Sequence, residues 1–361
     1  MSTQDSIFQS QQESDRRFGE NSILAKTRKS SRENFLLKFR SLTRFYALFH
    51  IAFIVALFLQ LLSMLLFFSF LTKSTWAAIA IAAFFLTLFS YFVLHFYFQA
   101  KKPQQFLELR HEFNDNCIAH LPLEKGSIDY HLSLMNAFLE IAHDLTNKES
   151  SFYSVSRSLK TLSPLLEKFS IWVHWKDVHK MKELLLLSSI NETVAVVKIR
   201  PTNLEAHASL ASVYLNLSKI YLDPRKVNPE SPLLWISPEY ASKIMQEKFH
   251  SASDRAIEEL KILNEYAPND PWIHAELAQI YHDKELPELE INEYETLLKI
   301  RPSDQELLYR LGVLYFEQGH NSQGLKVYEQ LKAADEEAAE SLIGHYDSFQ
   351  FHDLSIESLS D

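Results

Sequence analysis

The feature that most constrains this chain is a pair of long apolar runs, Phe45–Leu71 and Trp76–Phe98. Each run exceeds the roughly 20 helical residues that cross the core of a bilayer. Neither run contains Asp, Glu, Lys or Arg, and only the four residues from Thr72 to Thr75 separate them. So short a connection brings the second helix back antiparallel to the first. We therefore expect a transmembrane hairpin over residues 45–98.

Basic residues flank the hairpin and predict its orientation. Nine Lys and Arg residues precede the first run, Lys101 and Lys102 follow the second, and the turn carries only Lys73. Cationic flanks favour the cytoplasmic side, so we expect a two-pass membrane protein with both termini in the cytoplasm. Residues 1–44 are predicted to form a disordered, basic arm because their first part is rich in Ser and Gln. Their basic residues set the topology or bind anionic lipid headgroups.

Three strongly polar side chains lie within the apolar runs: His50, Gln60 and His95. Polar groups inside a membrane are candidates for transport or catalysis. The ordinary alternative is an interhelical hydrogen bond for Gln60 and an interfacial position for the two histidines. Because neither run carries a permanent charge, we favour an anchor.

The remainder of the chain is acidic. Residues 103–361 have a net charge of −17, whereas residues 1–102 have a net charge of +7. This balance argues against nucleic acid as a partner. With six glycines and the single Cys117, the chain lacks the residues of phosphate-binding loops and of Cys-based metal sites. No catalytic motif is present, so we expect no enzyme activity, no catalytic residues, no metal and no cofactor.

An internal repeat marks the C-terminal half of the chain. Leu277, Ala278 and Tyr281 are followed by an equivalent set one repeat later, and a third set lies nearly two repeat lengths earlier. These two sets are Leu311, Gly312 and Tyr315, and Leu210, Ala211 and Tyr214. The pattern has a period of about 34 residues and resembles the tetratricopeptide repeat, a pair of antiparallel helices of that length.

The resemblance implies an all-α fold in which the hairpin is followed by a solenoid of tetratricopeptide-like repeats. We assign residues 170–346 to the repeats, with a degenerate first unit over residues 170–203 and a Pro-containing insertion after residue 221. Helical periodicity without the repeat motif predicts a helical adaptor over residues 103–169. Residues 347–361 are predicted to form an acidic, flexible tail.

Proteins with this repeat generally bind peptides or proteins on the concave surface formed by the first helix of each unit. The resemblance implies that a set of aromatic, polar and acidic residues faces this groove here. These residues are Trp272, Gln279, His282, Asp283, Glu306, Tyr309, Phe316 and Glu317. Aromatic side chains beside carboxylates suit an apolar or basic segment of a protein partner. The favoured function is a membrane-anchored scaffold for protein–protein interaction.

Two other functions remain open. The hairpin with both ends on one side also resembles the inclusion-membrane proteins that obligate intracellular bacteria secrete, and the Ser/Gln-rich start fits their export signals. The third possibility is a membrane enzyme or transporter that uses His50, Gln60, His95 or the His-rich helices.

Overall fold

A computed structural model describes most of the chain, with side chains from Lys29 onward. The described residues are 3–68, 75–120, 123–153, 163–223 and 241–346. Within these ranges every regular element is a helix and no strand occurs, so the all-α prediction is confirmed. The turn at residues 72–74, most of the Pro-containing insertion and the acidic tail lie outside the described residues.

The described helices fall into two compact units, one ending at Ile199 and the other beginning at Arg200. Unit 1 contains α1 (Thr3–Leu66), α2 (Trp76–Ala119), α3 (Ile128–Asp144), a short 3-10 helix (Glu149–Ser151) and α4 (Ser163–Ile199). Unit 2 contains α5 (Leu204–Tyr221), α6 (Lys243–Tyr266), α7 (Pro271–Asp283), α8 (Pro287–Ile300), α9 (Gln305–Glu317), α10 (Asn321–Ala334) and α11 (Glu336–Ile343).

Two helices of unit 1 are long and apolar enough to cross a membrane. They are α1 over Lys29–Leu66 and α2, and the most apolar window of each has no residue buried within the protein. Large side chains such as Phe58, Leu66 and Phe85 are exposed. Because apolar surface in water costs about 25 cal/mol per Å², this hairpin requires a non-aqueous environment or a covering partner.

The two apolar segments are joined by aromatic and polar contacts. The ring of Phe98 lies 4.9 Å from that of Phe49, in an edge-to-face arrangement. Deeper in the hairpin, the Gln60 Nε2 group donates to Thr87 Oγ1 over 2.9 Å. The interhelical hydrogen bond that we considered for Gln60 is therefore present, and such bonds hold helix pairs together in lipid.

The helices do not end where the apolar runs end. α1 is already helical through residues 29–44, which we assigned to the arm, and α2 continues to Ala119 through Pro103. Hydropathy marks where apolar surface stops, whereas a helix continues as long as its amides find carbonyls four residues back. Pro103 removes one such bond without ending the helix. The boundary predicted between hairpin and adaptor is thus not a helix boundary.

Beyond the apolar segments, α1 and α2 pack with α3 and α4 around an aromatic core. Phe35 and Phe113 have ring centroids 5.4 Å apart, and Phe39 and Phe106 lie 5.6 Å apart. Phe138 on α3 completes this group, and all five rings are buried. The aromatic residues of the arm therefore belong to a protein core that begins next to the hairpin.

Cations beside the hairpin have partners within unit 1. Lys102 Nζ lies 2.6 Å from Asp177 Oδ1 on α4. Burial raises the pKa of Asp177, and the Lys102 ammonium opposes that rise. Arg40 donates to the carbonyl of Phe152 over 2.7 Å, and Arg44 donates to the same oxygen. The other pairs join Arg32 to Glu140 and Asp144, and Lys38 to Glu112. These contacts hold the helical bundle against the base of the hairpin.

α4 differs from the predicted domain division. Residues 163–199 form one uninterrupted helix, and they belong to unit 1. A tetratricopeptide-like unit needs two antiparallel helices, whereas residues 170–199 supply only part of one. Pro201, which falls within the predicted first repeat, lies in the short segment before α5.

In unit 2, each helix packs against the next one along the chain. One group of buried residues joins α5, α6 and α7, and it includes Ala211, Leu260 and Leu277. A second group joins α7 to α11, and it includes Leu297 and Leu331. Consecutive helices of unit 2 thus share buried side chains.

Helix starts in unit 2 recur with the period of the sequence. Asp270 and Asp304, which occupy equivalent positions in consecutive repeats, are the N-caps of α7 and α9. The carboxylate of Asp270 accepts from the amide of Trp272, and that of Asp304 accepts from the amide of Leu307. Each bond satisfies a helix amide that otherwise lacks a partner.

The turns after α7 and α9 recur in the same way. Glu285 and Gly319, again at equivalent positions, have left-handed backbone angles of φ 57° and 73°. In each turn the amide of the next residue bonds the carbonyl five residues back, from Leu286 to Tyr281 and from His320 to Tyr315. The left-handed residue allows the chain to reverse and start the following helix.

Two buried histidines are bonded identically in this unit. His207 Nδ1 lies 2.6 Å from Glu259 Oε2, and its Nε2 lies 2.8 Å from the carbonyl of Pro201. His274 has the same arrangement later in the unit, with Glu293 at 2.6 Å and the carbonyl of Pro268 at 2.9 Å. Because an ionised carboxylate and a carbonyl only accept, donation by the His207 ring to both requires the doubly protonated imidazolium.

We expect Gly319→Ala to weaken the turn between α9 and α10. An L side chain in the left-handed region costs about 1–2 kcal/mol. Conversely, Glu285→Gly removes that cost from the preceding turn. Hydrogen exchange of the full chain in detergent should show faster opening near residue 319 in the alanine variant. Gln318→Ala, at an adjacent residue with φ −94°, is the matched control. Equal opening rates in both alanine variants would contradict the assignment.

We expect the packing of α5 against α6 to weaken as pH rises. Burial opposes charge on His207, but the hydrogen bonds to Glu259 and the Pro201 carbonyl raise the pKa of His207 above its ordinary value. Its stabilisation is therefore complete below about pH 6.5, the ordinary value, and is lost as pH rises through the raised pKa.

His207→Gln should remove this pH dependence and cost about 1–3 kcal/mol at low pH. The readout is hydrogen exchange of α5 between mildly acidic and mildly alkaline pH. His250→Gln, at an exposed residue of α6, should keep the dependence of the unchanged protein. If the two variants respond to pH alike, the imidazolium does not stabilise this packing.

Candidate protein-binding surface

The eight predicted groove residues lie on two helices of unit 2. α7 carries Trp272, Gln279, His282 and Asp283, and α9 carries Glu306, Tyr309, Phe316 and Glu317. In each helix the spacing of these residues places them along one face, because side chains three, four and seven residues apart share a side. The N-caps and left-handed turns described above fix where each helix starts and stops.

On α7, three of the four side chains make polar contacts, two with each other and one with α8. The Gln279 Nε2 group donates to Asp283 Oδ1 over 2.9 Å. Burial raises the pKa of Asp283, and the hydrogen bond from Gln279 opposes that rise. His282 Nδ1 lies 3.2 Å from the Glu290 carboxylate on α8, and this hydrogen bond raises the pKa of His282.

Trp272 lies at the N-terminal end of the predicted binding face of α7, and its side chain is partly exposed. Its backbone amide is held by the Asp270 cap, so the start of the helix is fixed while the indole remains accessible. A rigid, accessible aromatic side chain beside polar groups is a common anchor for a bound segment. Trp272 is therefore the most suitable aromatic contact on this surface.

On α9 the predicted residues divide into surface and core. The Glu306 carboxylate accepts from Arg310 over 2.7 Å, and Glu317 is exposed. The hydroxyl of Tyr309 lies 3.1 Å from Ser341 Oγ on α11. These three residues have side chains on or near the surface, although Tyr309 also contacts the last helix.

Phe316 lies in the core rather than on the binding surface. It is fully buried, and its ring lies so close to Gly324 on α10 that a Cβ there would be 2.4 Å from Cε1. The Tyr346 ring contacts it from the C-terminal side at 5.5 Å. The helical spacing placed Phe316 on the same face as Tyr309, but α10 and the residues after α11 cover that end of the face.

Sequence reasoning missed the two buried histidine–glutamate pairs of unit 2. The repeat pattern assigns no role to His274. The sequence does place both histidines at the same repeat position. His207 lies three residues before Leu210, and His274 lies three residues before Leu277. Their glutamate partners lie on different helices, and no local pattern links them.

Two further histidines, His174 and His179, pack in unit 1. His174 stacks on Phe152 at 4.1 Å, and burial lowers the pKa of His174 to about 4. The His179 ring lies 3.8 Å from the Trp175 ring at a tilt of 35°, and burial lowers the pKa of His179 to about 3. Both rings are thus neutral at physiological pH. Among the described residues, no three His, Cys, Asp or Glu side chains are placed to hold a metal ion.

The sequence matches no model of a known protein family and has no significant match among curated proteins.

Proposed function

We propose that this protein is a non-enzymatic, membrane-anchored scaffold that binds a protein or peptide through the groove of unit 2. The main observation that supports the proposal is the recurrence of caps, turns and core positions in unit 2. The exposed apolar hairpin of unit 1 supports the membrane anchor. α7 and α9 each have 13 residues, and α8 and α10 each have 14. These lengths support two tetratricopeptide-like helix pairs within unit 2, α7 with α8 and α9 with α10.

The hairpin supplies the anchor in this proposal. Both flanks of the hairpin are basic and its turn carries one Lys, which supports an orientation with both termini in the cytoplasm. Gln60 bonds Thr87, and His50 Nδ1 lies 3.3 Å from the hydroxyl of Tyr91. These interhelical partners support structural roles for Gln60 and His50, rather than roles in transport or catalysis.

The chemistry of the groove favours an apolar or basic ligand segment. Trp272 provides aromatic surface, while Glu306 and Glu317 provide carboxylates on the neighbouring first helix. The net charge of −17 over residues 103–361 adds a field that attracts cations and repels nucleic acid. Such binding weakens with added salt because the charge attraction is screened.

We expect Trp272→Ala to reduce partner binding by at least about tenfold, since truncating an aromatic anchor commonly costs more than 1–2 kcal/mol. The experiment isolates the full chain from membranes in mild detergent and quantifies co-purifying proteins by mass spectrometry. Tyr266→Ala is the matched control, because Tyr266 is an exposed aromatic residue at the end of α6.

The proposal predicts a set of proteins that is depleted in the Trp272 variant and retained with Tyr266→Ala. The same set should elute as salt is raised. Equal recovery with both variants would show that the groove is not the binding surface. Absence of any specific protein in every sample would contradict the scaffold function itself.

A further inference from the structure

The N-terminal turns of α4 lie beside the hairpin rather than away from it. Lys102 on α2 bonds Asp177 on α4, and further along both helices Arg110 Nη1 donates to Ser188 Oγ over 3.1 Å. From residue 102 to 110, α2 moves away from its apolar segment. α4 moves in the same direction from Asp177 to Ser188, so the part of α4 before Asp177 points back towards the hairpin.

The rise per residue of an α-helix gives the position of the N-terminal turns of α4 along the hairpin. At 1.5 Å per residue, Trp172 lies about 7 Å from Asp177 along α4, and Leu165 lies about 18 Å from it. On α2, Phe98 is about 6 Å from Lys102 by the same rise. Trp172 is therefore level with the end of the second apolar segment, and Leu165 reaches deeper along the hairpin.

A second set of contacts places the start of α4 at the same level of the hairpin. The ring of Phe169 on α4 lies 5.7 Å from that of Tyr153. The guanidinium of Arg44 lies 5.8 Å from the same tyrosine ring. Arg44 directly precedes Phe45, where the first apolar run begins. α4 thus reaches the edge of both apolar segments.

The exposed side chains of these turns have the composition of a membrane interface. Leu165 is 65% exposed and Trp172 is 62% exposed. They are seven residues apart, so they share one face of α4. Lys168, also exposed, lies three residues from Leu165 at the edge of this face. Tryptophan favours the headgroup level, and lysine reaches anionic phosphates while its stem stays on apolar surface.

We propose that residues 163–173, the first three turns of α4, insert into the headgroup and upper acyl region of the bilayer beside the hairpin. The occupant of this face is lipid, because the face continues the exposed apolar surface of α1 and α2 at the same level and carries a cation at its edge. The inference rests on the proposed membrane anchor. It adds a third membrane contact, which limits how unit 1 can tilt relative to the bilayer.

Spin labelling tests this contact in the full chain. Cys117, the only cysteine, is replaced by Ala, and single cysteines are introduced as Trp172→Cys, Phe85→Cys and Tyr266→Cys. The three native side chains are 62%, 61% and 63% exposed, so the positions are matched. The labelled proteins are reconstituted into vesicles of phosphatidylcholine and phosphatidylglycerol. Collision of the label with oxygen reports lipid, and collision with a water-soluble nickel chelate reports water.

The label at residue 85 should favour oxygen and the label at residue 266 should favour nickel. We expect the label at residue 172 to lie between them, with oxygen collisions exceeding those at residue 266 severalfold. Leu165→Cys provides a second site, and its label should lie deeper than that at residue 172. This variant also carries the test if Trp172→Cys does not reconstitute.

Each alternative result overturns the inference in a recognisable way. Nickel access at residues 165 and 172 equal to that at residue 266, with residue 85 in lipid, leaves the anchor intact and removes the α4 contact. Protection of residues 165 and 172 from both reagents shows that protein covers the face. Nickel access at residue 85 contradicts the membrane anchor and the α4 contact together.

Discussion

The uncovered apolar surface of the hairpin is the constraint on which the rest of unit 1 depends. Helices α1 and α2 contact each other, and much of their remaining surface consists of large apolar side chains with no protein cover among the described residues. Water is an unfavourable surrounding for such a surface. A bilayer removes this cost, and the internal hydrogen bonds of each helix leave few backbone groups unsatisfied in lipid.

The same two helices connect the hairpin to the rest of unit 1. α1 and α2 continue past the apolar segments as helices, so no flexible linker separates the hairpin from the bundle among the described residues. The aromatic core around Phe39 and Phe106 then packs them against α3 and α4. The Lys102–Asp177 pair adds a partly buried charge contact at the junction, where removing one partner leaves the other unsatisfied.

The sequence predicts the elements of this structure better than it predicts the contacts between them. Hydropathy locates the hairpin because spanning length is a property of local composition. The internal repeat locates α7 to α10 because caps, turns and core positions recur in each repeat of unit 2. Neither signal contains the end of α2 at Ala119 or the single helix from Ser163 to Ile199, since a helix can continue after its apolar pattern changes.

The binding surface could be predicted only in part for the same reason. Helical spacing groups Trp272, Gln279 and Asp283 on α7, but it cannot show that α10 and Tyr346 cover Phe316 on α9. The buried pairs His207–Glu259 and His274–Glu293 join residues on different helices. Such pairs depend on how helices pack, and the sequence of either helix alone does not encode the partner.

We propose that the hairpin crosses the membrane and returns, with both chain termini in the cytoplasm. Labelling single cysteines in intact cells with a membrane-impermeant maleimide tests it directly, in a Cys117→Ala background. Thr75→Cys marks the turn, and Ile244→Cys marks an exposed residue of α6. The account predicts that the label reaches residue 75 before the membrane is opened and residue 244 only afterwards. Labelling of both positions from the same side would contradict it.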